Sequence, residues 1–247
     1  SIPSYWSWGA VDQQYNEIWG WYDSTNAREY AIIGSAEGTY FWDVTDPDNI
    51  VQVDYELGKD IAPIHRDYKT YKNYCYGVAD EGASSLQIWD LSYLPDSVHK
   101  VYDSDTFCVT SHNAFIEEST GRLYLCSVNF SIAMRIFDIF TNPESPTHLG
   151  DLTLTGPQGS HVHDVYVKND TAYCSNGNAG LFVFDVSNAG NIQTLGSITG
   201  YLEQGYNHNA WMTEDGNTIF FTDENHGLGI KAYDVSDVQN MSSLALF

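Results

Sequence analysis

Four histidines, His112, His161, His163 and His208, stand beside carboxylates and amides at the openings of apolar segments. His112 precedes Asn113, His163 precedes Asp164 and His208 precedes Asn209, while Tyr15–Asn16 and Arg66–Asp67 open two earlier segments in the same way. Set in one register, Asn16, Asp67, Asn113, Asp164 and Asn209 form a column of oxygen donors. Oxygens converging from several segments suit Ca²⁺, with Asp67 and Asp164 as its charged ligands; the imidazoles instead suit a transition metal. Asp67 or Asp164 beside a histidine also has the makings of an acid–base pair. A blander reading stands next to these, in which the amides and imidazoles bond to neighbouring strand ends and to water. No Gly-x-Ser-x-Gly elbow, HExxH or phosphate-cradling loop accompanies the column, so nothing names a nucleophile.

The elements that must position these residues announce themselves by repetition. Phe41-Trp42-Asp43-Val44, Ile88-Trp89-Asp90-Leu91, Ile136-Phe137-Asp138-Ile139, Val183-Phe184-Asp185-Val186 and Ala232-Tyr233-Asp234-Val235 share one phrase, and their aspartates recur at intervals of 47, 48, 47 and 49 residues. Such a period marks a repeat architecture, because one unit cannot bury its apolar face alone. The unit from His163 to Ile198 parses into four short strands separated by Gly-, Asn- and Asp-rich turns. A four-stranded antiparallel meander at this period is a β-propeller blade, and the expected fold is all-β. The blades fall at about 15–62, 63–108, 109–158, 159–204 and 205–247 of a single domain, with residues 1–14 as an N-terminal strand. That strand has no obvious place beside five complete blades, which leaves two expectations: the chain is a fragment of a six-bladed or larger ring, or it closes as a five-bladed ring with this strand packed elsewhere. First strands of blades line a propeller's channel, which aims either the Asn/Asp column or the preceding His column inward. The aspartates of the repeated phrase are expected to cap turns as scaffold.

Composition narrows the function further. With 33 acidic and 10 basic residues the formal charge is −23, which repels nucleic acid and anionic membrane surfaces. No run approaches the length needed to cross a bilayer. Cys75, Cys108, Cys126 and Cys174 match no zinc-ligand spacing, and Cys108–Cys126, flanking one expected hairpin, is the pair to consider for a disulfide. Trp6, Trp8, Trp19, Trp21 and Tyr22 fit either inter-blade packing or a carbohydrate platform. Asp223-Glu224-Asn225-His226-Gly227 reads as an acidic turn, either solvated or binding Ca²⁺.

The repeated phrase followed by Thr45-Asp46-Pro47 and Thr141-Asn142-Pro143 resembles the LVIVD-repeat proteins. The openings Asn16-Glu17-Ile18-Trp19-Gly20-Trp21, Arg66-Asp67, Ser111-His112-Asn113 and His163-Asp164, with the stretch Tyr206 to Asp215, resemble the choice-of-anchor B family. That resemblance implies a secreted or surface-displayed bacterial propeller and brings no established reaction. The expected function is therefore a non-enzymatic scaffold for binding, adhesion to a protein or glycan partner at the cell surface, or assembly with other subunits. The alternatives are a metal-assisted hydrolase using Asp67, His112, His163, Asp164 and His208, and a structural subunit of an extracellular assembly.

Overall fold

The computed structural model describes residues 15–247. The strand expected within residues 1–14, with Trp6 and Trp8, lies outside the described residues. Twenty strands form five four-stranded antiparallel sheets, each a meander in sequence order, and the fold is a β-propeller of such blades. The first sheet is β1 (Tyr15–Asp23), β2 (Arg28–Ser35), β3 (Gly38–Asp43) and β4 (Val51–Leu57); the second is β5 (Arg66–Tyr71), β6 (Tyr74–Ala79), β7 (Leu86–Asp90) and β8 (His99–Ser104). The third is β9 (Asn113–Glu117), β10 (Arg122–Val128), β11 (Ile132–Asp138) and β12 (Thr147–Leu152). The fourth is β13 (Asp164–Lys168), β14 (Thr171–Ser175), β15 (Leu181–Asp185) and β16 (Gln193–Ile198), and the fifth β17 (Asn207–Met212), β18 (Thr218–Asp223), β19 (Lys231–Asp234) and β20 (Ser242–Leu246). No helix among the described residues is long and apolar enough to cross a membrane.

Burial follows position in the sheet. Opening strands alternate, as in β13, where Val165 and Val167 are buried and Asp164, Tyr166 and Lys168 are not. Middle strands such as β15 are apolar and buried nearly throughout, the pattern of a sheet covered on both faces. Fourth strands such as β4 are largely exposed, and each carries a bulge opposite the repeated phrase. The extra residue is Val53, Val101, Leu149, Leu195 or Leu244, and this kink twists an otherwise open edge away from pairing.

The five repeat aspartates are turn scaffold, as expected. Asp43, Asp90, Asp138, Asp185 and Asp234 each accept a bond from the backbone N–H two residues on, at 2.9–3.0 Å. In every case the residue after the aspartate donates to a backbone carbonyl in or beside the turn between the second and first strands, at 2.8–2.9 Å. These bonds hold the carboxyls of Asp43, Asp185 and Asp234 below the usual range, against the opposing effect of burial.

The chain divides into two compact units. One comprises the residues up to Ala114 with Thr141–Pro146, and the other Phe115–Phe140 with Thr147–Phe247. In the first, Tyr30, Ile32, Phe41, Tyr68, Cys75 and Trp89 make the core. Trp19 and Trp21 pack against it and donate their indole N–H groups to Thr70 and to the Lys72 carbonyl. Trp19 and Trp21 are thus blade packing, while Tyr22 is exposed. In the second unit, Tyr124, Met134, Ile136, Val165, Cys174 and Phe184 form one core cluster and Val183, Met212, Ile219 and Phe221 belong to another. All four cysteines are buried and none is in a disulfide, so the Cys108–Cys126 bridge does not form. Burial pushes the Cys75 and Cys174 thiols far above their ordinary value, which makes them inert packing residues.

Candidate metal centre

In the second unit His163, His208 and Glu224 present one ligand atom each, all within 4.8 Å of one another. A tetrahedral cation with bonds of about 2.1 Å sets its donors roughly 3.4 Å apart, so the set is near coordinating geometry and slightly open. His163 is buried, His208 half-buried and Glu224 exposed, which leaves the carboxylate free to close on a cation. The His163 Nδ1–H donates to the backbone carbonyl of His208 at 2.9 Å. A carbonyl only accepts, so this bond fixes the proton on Nδ1 and leaves the ring's lone pair on Nε2, the atom a cation would take.

Local backbone chemistry builds this corner. Between β17 and β18 the register slips, with Asn207 opposite Asp223 and Asn209 opposite Thr222, so His208 is the extra residue of a bulge. Strict alternation would keep His208 in step with the strand; the bulge re-aims it to within 4.5 Å, centroid to centroid, of the His163 ring. Gly177, in the turn between β14 and β15, exchanges two backbone bonds with Asn207, at 3.2 and 3.0 Å. It adopts φ +56°, and a Cβ there would stand 2.6 Å from the Tyr206 ring, so only glycine fits. Tyr206 donates its N–H to Asn225 Oδ1 at 2.6 Å, and its carbonyl takes the Glu224 N–H at 2.9 Å, which ties the third ligand to the same turn.

Behind the ligands lies a buried ion pair. Lys231 Nζ meets Asp223 Oδ2 at 2.5 Å, with both side chains all but inaccessible, and the Tyr201 hydroxyl donates to Asp223 Oδ1 at 2.7 Å. Asp223 precedes Glu224, so this pair anchors the strand end that presents the carboxylate. Beside them His161 Nε2 and the Tyr206 hydroxyl lie 2.6 Å apart, a hydrogen-bonded acid–base couple. Buried oxygens of Ser175, Asn176 and Asn207 have no protein partner, and atoms of that kind take ordered water.

The other residues singled out in the sequence have partners of their own. Asp67, on β5 of the first unit, is buried; Oδ1 accepts from Lys69 Nζ at 2.6 Å and from Tyr68 N–H at 2.8 Å, and Oδ2 from Ala114 N–H at 2.6 Å. Its oxygens are thus engaged in tying the start of β9 to β5. Asp164 Oδ1 accepts from Val165 N–H and Asn209 Oδ1 from Thr222, and neither joins the three-ligand group. Asn113 opens β9, half-buried. His112 donates from Nδ1 to Asp80 at 2.9 Å in the first unit, beside the His65–Glu81 pair. Asn16 turns its Oδ1 to Glu17 N–H, against Gly34, where a Cβ would sit 2.1 Å from that oxygen. Glu17 went unremarked in the sequence. Burial, reinforced by the Asp67 carboxylate and partly offset by Lys69, pushes its carboxyl up to about 7.

No family model matches the chain, and no curated protein matches it. Solved structures do. A protein from Lactobacillus plantarum superposes with TM-score 0.66 at 16% identity, covering 93% of this chain and 66% of its own. The periplasmic gluconolactonase of Pseudomonas aeruginosa gives TM-score 0.68 at 12% identity, over 92% and 70%. A putative 6-phosphogluconolactonase from Bacteroides fragilis gives 0.65 at 12%, over 93% and 66%. The chain therefore spans about two thirds of the length of these neighbours. The expectation of a non-enzymatic adhesion or assembly scaffold is overturned by this comparison, because the neighbours with a named activity are lactonases. That expectation rested on the lack of a linear catalytic motif. The candidate ligands His163, His208 and Glu224 lie on separate segments and leave no such motif to find.

Proposed function

We propose that the protein is a metal-assisted hydrolase of the lactonase class, with its centre at His163, His208 and Glu224. The observation that carries this reading is the convergence of two imidazoles and one carboxylate with the His163 tautomer fixed. Two nitrogens and one carboxylate oxygen suit Zn²⁺ and its neighbours better than Ca²⁺, and three protein ligands leave a position open. A cation held there would supply Lewis acidity at an ester carbonyl. The His161–Tyr206 couple is placed to move a proton. Water adds to the acyl carbon, the ring C–O bond breaks, and the proton lost by water ends on the departing ring oxygen, giving an open hydroxy acid. The gluconolactonase and 6-phosphogluconolactonase names among the fold neighbours support a lactone as the ester.

An exported location belongs to the same proposal. It is supported by the resemblance to choice-of-anchor B proteins and by the periplasmic origin printed for the Pseudomonas neighbour.

The test is hydrolysis of D-glucono-δ-lactone by the full chain supplied with Zn²⁺, followed in a pH-stat above the spontaneous rate. We expect His163→Ala, His208→Ala and Glu224→Gln each to lower kcat/KM by roughly 100-fold or more while the fold persists. Activity equal to the parent in all three variants would refute the assignment.

A further inference from the structure

We infer that the ester this centre takes is an uncharged, polyhydroxylated lactone and not a phosphorylated one; the inference rests on the hydrolase reading above. The strongest handles for a phosphate are an available Lys or Arg and the N-terminal turn of a helix. The unit that carries the ligands has four basic side chains, and each is committed elsewhere. Arg122 pairs with Asp170 at 2.6 Å and caps the Val186 carbonyl. Arg135 grips Asp151 with two bonds of 2.8 Å. Lys168 is spent on the Thr213 and Glu214 carbonyls, and Lys231 is sealed against Asp223. The six basic residues of the other unit each hold a carboxylate, carbonyl or ring partner of their own. Residues 1–14 contain neither Lys nor Arg.

The segments that bring the ligands together are rich in amides instead. Three segments meet there, tied by the Gly177–Asn207 bonds, by Gln204 Nε2 donating to the Asn178 carbonyl at 3.3 Å, and by Tyr206 N–H on Asn225. They carry Asn176, Asn178, Gln204, Asn207, Asn209 and Asn225. Most of these amides already bond within the protein, but Asn176 and Asn207 each keep a side-chain oxygen without a protein partner. Such acceptors suit the hydroxyls of a sugar-derived lactone, whereas a phosphate, itself an acceptor, would meet the unscreened field of a chain carrying −23.

The experiment compares D-glucono-δ-lactone with its 6-phosphate on the Zn²⁺-supplied full chain, at low and at high salt. Expected is a kcat/KM at least roughly tenfold higher for the neutral lactone, nearly independent of salt, with the phosphorylated one gaining as salt screens repulsion. Equal or faster turnover of the 6-phosphate overturns the inference and leaves the hydrolase reading standing. Turnover of neither lactone overturns the hydrolase reading and the inference with it.

Discussion

Glu17 shows how one side chain's surroundings become a property of the whole fold. Its carboxyl, ordinarily near 4.5, is raised to about 7 by burial and by the nearby Asp67 charge. Between those values the folded state keeps a proton that the unfolded state has released, so stability must fall as pH rises through that window. Below about 4.5 both states are protonated and the penalty is absent; above about 7 it is fully present. Glu17→Gln should therefore flatten the decline in melting temperature between pH 4.5 and 7, and a parent-like slope in the variant would show that another group titrates there. Nothing in the sequence singled out Glu17, because its pKa depends on Asp67, a neighbour only in the fold. The Asp67 and Asp164 carboxylates were legible as polar positions but not as internal acceptors, since the bonds from Ala114 and Val165 depend on how the strands lie. His163 and His208 were legible, and Glu224 was visible only as one carboxylate of an acidic turn.

At the scale of elements, the repeated phrase exposed the strands because apolar alternation and Asn/Gly/Asp turns recur together, and each of the five aspartates caps its turn as its position implies. The bulges were not legible. A residue inserted into one strand leaves the hydrophobic pattern of that strand nearly unchanged, yet it decides where His208 points. The Asn176–Gly180 turn was readable as a turn, but not as the clamp that holds Asn207. Gly177→Ala tests that clamp. The added methyl faces both an unfavourable φ and the Tyr206 ring 2.6 Å away, so β17 must shift at its start. We expect metal affinity to drop by roughly tenfold with the melting transition still cooperative; unchanged affinity would show that the turn does not position the ligands.

For the molecule as a whole, charge is the dominant long-range term. A formal charge of −23, with its ten basic groups already engaged, leaves net self-repulsion in the folded chain. Added salt should raise the melting temperature from its low-ionic-strength value as the Debye length shrinks toward about 10 Å at 0.1 M. A flat or falling response would mean that local ion pairs such as Arg135–Asp151 outweigh the repulsion. The same charge, together with the missing linear motif, favours a passive scaffold when only the sequence is considered, and the likeness to lactonase structures overturns that reading. The three candidate ligands come together from distant segments and so leave no motif in the sequence. The most direct measurement is a competitive titration of Zn²⁺ against a chromogenic chelator, with the parent chain and the His163→Ala/His208→Ala double variant side by side. One tight equivalent in the parent and none in the variant is the expected result; equal uptake by both, or none by the parent, would contradict a metal centre at these residues.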